Sequence, residues 1–357
     1  MTLPLDHPMT LTATDRIGAR PETAARVRAA SRDTGIDTLR GIAIVMVMGI
    51  HSLPQPLNSW ETLIDAVLRP CVPIFLFASG YLTALSGRVP LGKRLSVTLV
   101  PYGIAFVAAY IYMAAHNPAM DHRIVTTLAR FSLAYVFVYY YVFVYVGCTV
   151  ALWLVWPRAA PDAGSERRLA GRLLLAILFG LIAGSYLDPL LWRLGFADAL
   201  VEEVRMRDIP FWFAFMALGA LVGRFGIRSH LADMRMPLIG ATLVAYAIYA
   251  AVRLYGLGDA ADYDSTAFFG YAALLCLLLL AFDAQLPWLA ALGSGSYFLY
   301  LWHIFIIMAL RDFLAGARFG ATAGFVVTYA ITLSGSILAL LAVRSVAPLR
   351  LSRWLGA

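Results

Sequence analysis

The sequence predicts an all-α integral membrane protein, a polytopic bundle of about ten transmembrane helices. Of its 357 residues, 61% are hydrophobic and only 14% are charged. A water-soluble fold could not cover its surface with so few charges, so the apolar excess must face lipid. Soluble enzymes and nucleic-acid modules are therefore excluded, and the net charge of +7 bears on topology rather than on a nucleic-acid partner.

The first element is a polar segment, residues 1–36. It lacks an apolar stretch of the kind that a cleavable signal peptide needs, and its charges are mixed: Asp6, Asp15, Arg16, Arg20, Glu22, Arg26, Arg28, Arg32 and Asp33. We predict a polar cytoplasmic tail with a short helix after Pro21.

Apolar stretches of spanning length then follow one another, separated by charged residues or by proline and glycine. They predict ten helices near 37–55, 62–86, 96–115, 131–156, 172–187, 210–226, 237–256, 266–283, 291–310 and 320–343. The fifth and sixth are short, so a broken or re-entrant segment around 188–209 is an alternative. The predicted membrane domain is residues 37–343, and 344–357 form a basic cytoplasmic C-terminus.

The arginines and lysines predict that both termini are cytoplasmic, because positive loops resist translocation. If the tail is inside, eighteen of these residues fall in loops on that side and seven on the other. An even number of spans agrees with this orientation.

The first span contains two ionisable residues, Arg40 and His51. Eleven residues advance a helix by about 16 Å and bring the two side chains to one face. Ionisable groups at membrane depth are functional candidates. The alternatives are an interfacial arginine that reaches toward water and a core histidine bonded to a neighbouring helix.

Four segments carry a family resemblance. They are Asp37-Thr-Leu-Arg40-Gly with His51 further along, Val72-Pro-Ile-Phe-Leu-Phe-Ala-Ser79-Gly80, the pair Lys93-Arg94 before Pro101-Tyr102, and Ser296-Tyr297 with Tyr300-Leu-Trp-His303. In this order they resemble the membrane-bound acyltransferase 3 family, whose members mostly O-acetylate cell-surface carbohydrates. The span 135–145 lacks the Leu-Trp-Phe run of many members and is similar to the exopolysaccharide and polysaccharide-adhesin branch. We expect no appended hydrolase-like domain.

The resemblance implies an O-acyltransferase of the cell inner (plasma) membrane that moves an acetyl or other short acyl group to a carbohydrate hydroxyl. Acetyl-CoA or another acyl-CoA is the implied donor, and an exopolysaccharide or other cell-surface glycan is the implied acceptor. The lipid bilayer and other polysaccharide-synthesis proteins are the further expected partners, and nucleic acid is not. We expect no bound cofactor or metal, since the spacing of Cys71, Cys148 and Cys276 suits no zinc site.

Acyl transfer needs a base for the hydroxyl and a positive group for the donor phosphates. His51 is the predicted base, since a histidine pKa near 6.5 suits that role. Arg40 is predicted to bind acyl-CoA phosphate or the pantetheine carbonyl, and Lys93 with Arg94 to extend that patch. Direct transfer and a covalent intermediate are both compatible with these residues.

Further residues are predicted to support the site. Ser79 and Gly80 suit close approach either of a ligand or of another helix. Ser296, Tyr300 and His303 form one polar stripe, which serves either the site or an interhelical seam. Asp37 is a supporting candidate beside Arg40.

The sequence leaves two alternatives for the function. A polysaccharide or small-molecule transporter would use Arg40 and His51 as gate or proton-relay groups. A small secondary metabolite is an alternative acceptor.

Two pairs of charged residues are secondary candidates. Asp65 and Arg69 are predicted to form an ion pair or to line an acceptor entrance. Glu202 and Glu203 are predicted to be solvated or to hold a sugar.

Overall fold

Helices form every regular element of the computed structural model, which describes residues 33–136, 138–157, 163–257, 265–313 and 321–357. These ranges contain sixteen helices and no strand. The prediction of an all-α membrane protein is therefore confirmed. Most of the predicted tail, residues 1–32, and the helix predicted after Pro21 lie outside the described residues.

The first eight helices run from the start of the described chain to residue 205. They are α1 Thr34–Ser52, α2 Ser59–Leu68, α3 Cys71–Ser86, α4 Leu91–His116, α5 Ile124–Ser132, α6 Tyr140–Val155, α7 Ala163–Arg193 and α8 Asp198–Arg205. An asparagine caps α2, because Oδ1 of Asn58 accepts from the backbone of Glu61 while the Glu61 carboxylate accepts from the backbone of Asn58.

The second eight helices complete the bundle. They are α9 Ile209–Arg224, α10 Arg228–Asp233, α11 Arg235–Tyr255, α12 Thr266–Phe282, α13 Pro287–Ser294, α14 Ser296–Phe313, α15 Ala321–Val346 and α16 Leu349–Leu355. Asp208 caps α9 and Ser265 caps α12, each accepting from a backbone N–H of the first turn. The predicted basic C-terminus contains the end of α15 and all of α16.

Among the described residues, seven helical segments are long and apolar enough to cross a membrane: Thr34–Ser52, Ser59–Ser86, Leu91–His116, Gly164–Arg193, Asp198–Arg224, Arg235–Tyr255 and Thr322–Val346. The pair α13 and α14 adds an eighth if it is one span, and α6 and α12 are shorter apolar helices. Each predicted span overlaps one of these segments. The number of ten crossings and the cytoplasmic termini stay predictions.

Three spans differ from their predicted bounds. The fourth begins at Tyr140 rather than 131, because the chain leaves the helix after Ser132 and Ala134 adopts a left-handed φ of 49°. The fifth is a single 31-residue helix, α7, because its charged first turns continue the helix beyond the apolar stretch. The ninth is sharply bent, because α13 and α14 meet at an angle of 79°. The region 188–209, where a broken segment is the predicted alternative, contains the end of α7 and the short helix α8, with helix breaks on both sides of α8.

Small residues set the closest helix contacts. A Cβ added to Gly80 of α3 would lie 1.9 Å from the Met216 carbonyl oxygen of α9, and one added to Gly219 of α9 would lie 2.0 Å from the Phe77 carbonyl oxygen of α3. Gly219 and Gly223 form a small-xxx-small pattern, which lets membrane helices approach to backbone contact. Helices α3 and α9 therefore pack in direct backbone contact.

A similar contact joins α1 to α13. A Cβ on Gly41 would lie 2.1 Å from the Leu289 carbonyl oxygen, and one on Gly293 would lie 1.8 Å from the Asp37 carbonyl oxygen. Because α13 lies so close to α1, the sharp turn at Gly295 starts α14 beside the first helix. This packing brings the two ionisable residues of α1 next to the polar stripe of α14.

Candidate functional site

A cavity of about 240 Å³ lies between five helices, α1, α3, α4, α6 and α14. Its lining combines charged, polar, aromatic and apolar side chains: Arg40, Phe75, Ser79, Leu82, Arg94, Val97, Thr98, Tyr141, Val142, Tyr145, Ser296, Tyr297 and Tyr300. Some of these are predicted site residues, and several of the tyrosines are not. Among the described residues the lining has two cations and no carboxylate. The cavity is therefore suited to an anionic or polar ligand with an apolar portion.

Arg40 is held in place by two neighbours. Its Nη2 donates to the Oγ of Ser296 over 3.0 Å, and its Nη1 lies 3.5 Å from a carboxylate oxygen of Asp37. The Arg40 side chain keeps 30% of its surface exposed. Contacts on two sides orient the guanidinium, and its remaining donors can serve a ligand in the cavity.

Arg94 lines the same cavity from α4. Its Nη2 donates to the Oγ1 of Thr83 over 2.6 Å, whereas its Nη1 is buried and has no hydrogen-bond partner among the described residues. A buried donor of this kind is expected to meet a partner in the liganded protein. Lys93 is exposed and lies outside the cavity lining, so the structure brings Arg40 and Arg94 together and leaves Lys93 at the surface.

The predicted Ser79-Gly80 pair divides between two roles. Ser79 lines the cavity, and its carbonyl oxygen accepts from Thr83 over 2.7 Å. Gly80 packs against the α9 backbone at Met216. Gly80 therefore allows close packing of another helix, whereas Ser79 is placed to contact a ligand in the cavity.

The polar stripe of α14 leads out of the cavity. Ser296 and Tyr300 line it, while His303 lies one turn further and is fully buried. The Tyr300 hydroxyl donates to the Val138 carbonyl oxygen over 2.6 Å, and the Tyr300 ring is centred 6.4 Å from the ring of His303. The stripe is thus both an interhelical seam and a wall of the cavity.

His51 lies at the far end of that stripe. Its ring is centred 5.5 Å from the ring of His303, and its carbonyl oxygen accepts from Arg311 over 3.3 Å. His51 is partly exposed. Arg40 and His51 therefore both contact α14, the first through Ser296 and the second through His303, and the structure supports their predicted common face.

Several cavity residues were not predicted to belong to the site, namely Thr98, Tyr141, Tyr145 and Tyr297, although Tyr297 lies in a motif of the family resemblance. Tyr141 and Tyr145 are spaced i, i+4 in an otherwise apolar helix, which places two hydroxyl groups on one face. That spacing is a signal that could have identified them.

A buried ionic cluster lies apart from the cavity. The Asp65 carboxylate accepts from Arg69 Nε over 2.7 Å and pairs with Arg253 of α11. Asp65 is 1% exposed and Arg69 is 8% exposed. The predicted Asp65–Arg69 pair is confirmed, and Arg253 adds a second cation from a helix distant in sequence.

Two acidic residues away from the cavity, Glu203 of α8 and Asp121, have ion-pair partners of their own. Glu203 pairs with Arg207 over 2.5 Å. The hydrogen bonds of Arg123 and Thr126 hold the pKa of Asp121 well below its usual range, so Asp121 is a carboxylate at neutral pH and no proton donor. No cluster of three or more metal-ligating side chains occurs in the described part of the chain.

The model of the acyltransferase 3 family, described as an acyltransferase domain, matches residues 33–341. The chain belongs to the acyltransferase 3 family. No curated protein and no solved structure matches it significantly.

This membership covers nearly all of the described helices, including those that line the cavity. The protein is therefore a multi-pass membrane acyltransferase. The resemblance found in the sequence is confirmed at the level of the family, while the roles of individual residues stay predictions.

Proposed function

We propose that the acyltransferase moves an acetyl or other short acyl group from acyl-CoA to a hydroxyl of a carbohydrate, an exopolysaccharide or other cell-surface glycan, in the inner (plasma) membrane. The observation that carries the proposal is that Arg40 and Arg94 line one cavity, and that α14, which forms part of its wall, also contacts His51 through His303. His51 and His303 themselves lie outside the cavity lining. The other described elements of the site follow from this arrangement.

The two guanidiniums serve the donor. Arginine binds phosphate oxygens through paired N–H groups, and an acyl-CoA carries several phosphates on one long, thin arm. Arg40 keeps donors free of its Asp37 and Ser296 contacts, and Arg94 has a buried Nη1 without a partner in the described chain. With the phosphates near these arginines, the arm extends along the tyrosine-lined wall toward His303 and His51.

His51 serves as general base. It takes the proton of the acceptor hydroxyl as the hydroxyl oxygen attacks the thioester carbonyl. The C–O bond of the new ester forms, the C–S bond of the thioester breaks, and the proton passes from His51 to the departing CoA thiolate. Partial exposure of His51 gives an acceptor access from the end of the bundle opposite to Arg40.

The experiment is acyl transfer in proteoliposomes that contain the purified protein, radiolabelled acetyl-CoA and a cell-surface glycan fraction. We expect label in the glycan with the native protein and a loss of roughly 100-fold or more in His51→Ala, which removes the base. Met236→Ala, a change at an exposed residue of α11, is the matched control and keeps full transfer.

Three outcomes would contradict the proposal. One is native-level transfer by His51→Ala. Another is label in protein or lipid but none in glycan, which would point to a different acceptor. The third is movement of glycan across the liposome membrane without acyl transfer, which would favour a transporter.

A further inference from the structure

His303 has a defined protonation pattern in the structure. Its Nδ1 lies 3.0 Å from the Leu299 carbonyl oxygen and 2.8 Å from the Tyr300 carbonyl oxygen. Carbonyl oxygens only accept hydrogen bonds, so Nδ1 carries the proton of the neutral ring. The other nitrogen, Nε2, is then a hydrogen-bond acceptor with a free lone pair.

That acceptor is fully buried. His303 has 0% exposure, and its Nε2 has no hydrogen-bond partner among the described residues. Native proteins rarely leave a buried polar atom unpaired unless it has a functional role or meets a partner in another state. An apolar residue could fill this position in the bundle without that cost.

The ring of His51 is suitably placed to be the partner. The two ring centroids lie 5.5 Å apart with planes tilted by 31°. Two imidazoles joined by one N–H···N hydrogen bond of about 3 Å have centroids roughly 5–5.5 Å apart. The observed separation therefore needs only a side-chain rotation of His51 to form the bond.

We propose that His303 is a positioning residue whose Nε2 accepts the ring N–H of His51. The bond leaves the second nitrogen of His51 unprotonated and directed at the acceptor hydroxyl. In catalytic triads, a third residue likewise holds the histidine base in the correct tautomer and orientation. When His51 takes the hydroxyl proton, the same bond stabilises its positive charge. The inference rests on the proposed function, in which His51 is the base.

Two substitutions of similar size separate this role from a structural one. His303→Gln can place an amide oxygen near the position of Nε2 but loses the Nδ1 donor. His303→Asn keeps a donor near Nδ1 and loses the acceptor. We expect His303→Asn to lower kcat roughly 100-fold with an unchanged KM for acetyl-CoA, and His303→Gln to retain more than a tenth of the native kcat. Higher activity in His303→Asn than in His303→Gln would overturn the proposal.

A measurement without substrate tests the same bond. In ¹⁵N-histidine-labelled native protein in lipid nanodiscs, we expect NMR coupling between the ring nitrogens of His51 and His303. Disappearance of the signal in His303→Asn, which lacks the second ring, assigns the coupling to this pair. The absence of coupling in the native protein would overturn the proposal. Native protein that shows the coupling but transfers no acyl group would support the histidine pair and contradict the proposed function, so the two failures are distinguishable.

Discussion

Arg40 and Ser296, 256 residues apart in the chain, share a hydrogen bond of 3.0 Å between Nη2 and Oγ. This bond joins α1 to α14 at the edge of the cavity and, together with Asp37, fixes the direction of the guanidinium. It places Arg40 beside the polar stripe of α14 that leads toward His51.

Loss of the Ser296 hydroxyl is expected to weaken donor binding without affecting the chemical step. Ser296→Ala removes one of two groups that orient Arg40, a contribution of about 0.5–1.5 kcal/mol. The KM for acetyl-CoA should therefore rise by roughly 2- to 10-fold, with kcat unchanged. Steady-state kinetics at varied acetyl-CoA concentration measure both constants.

Arg40→Ala is the reference for that experiment. It removes the guanidinium itself, so we expect the KM for acetyl-CoA to rise further than in Ser296→Ala, by more than about 10-fold. If Ser296→Ala were as inactive as Arg40→Ala, then Ser296 would act on the substrate directly and not through Arg40.

The three basic residues at positions 88, 93 and 94 are expected to differ in their effect on the donor. Arg94→Gln removes a guanidinium that lines the cavity and should raise the KM for acetyl-CoA by roughly 10-fold or more. Lys93→Gln should have a smaller effect on the KM, because Lys93 is exposed and dissolved ions screen its attraction to the donor phosphates.

Arg88→Gln is the matched control, since Arg88 is exposed and lies outside the cavity lining. It should leave the KM for acetyl-CoA unchanged. The same series measured at high salt should show a reduced effect for Lys93→Gln. Equal losses in Lys93→Gln and Arg94→Gln would argue against a donor site in the cavity.

A methyl group at Gly80 is expected to destabilise the bundle. Gly80→Ala would place a Cβ 1.9 Å from the Met216 carbonyl oxygen, so α3 and α9 must separate, at a cost of about 1–3 kcal/mol or more. Thermal unfolding in detergent, followed by circular dichroism, measures the change in melting temperature.

Gly103→Ala provides the comparison within α4, because nothing lies within 4 Å of a Cβ built there. Alanine has the higher helix propensity, so this variant should be as stable as the native protein or slightly more stable. Equal melting temperatures for Gly80→Ala and Gly103→Ala would contradict the close α3–α9 contact.

Asp65 is expected to be a structural anchor. Asp65→Asn removes a negative charge that pairs with both Arg69 and Arg253 in a buried cluster. Removal of one partner from such a buried ionic group costs roughly 3–5 kcal/mol. The midpoint of chemical unfolding should fall accordingly, whereas Asp121→Asn, at an exposed pair with Arg123, should change it little.

If Asp65 instead lines an acceptor entrance, the result would differ. Asp65→Asn would keep its unfolding midpoint and raise the KM for the glycan. Measurement of both quantities on the same purified variant distinguishes a folding role from an acceptor role.

The positions of the spans were largely predictable, and their ends were not. Apolar length identified a helical segment for each predicted span, because lipid-facing helices need continuous apolar sequence. The ends depend on features that apolar length does not detect. Helix α7 continues through charged residues, one of which, Glu166, pairs with Arg224 of α9, and the ninth span bends at Gly295 because α13 must pack against Gly41.

The site was predictable only in part. Spacing and the family resemblance identified Arg40, Ser296, Tyr300 and His303. The structure places these residues along the interface between α1 and α14. Tyr141 and Tyr145 were not assigned, since tyrosine is ordinary in membrane helices and only the fold shows which of them face the cavity.

The sequence by itself determined that the chain is a membrane bundle, that Arg40 and His51 share a face of the first helix, and that the chain resembles one acyltransferase family. These properties depend on composition, helical period and local motifs. The tertiary structure alone decided that Arg94 turns into the cavity while Lys93 faces outward, that Gly80 packs on α9, and that His303 contacts His51. The physical reason is that each of these placements depends on how the helices pack against one another, and the packing depends on where the glycines allow backbones to meet.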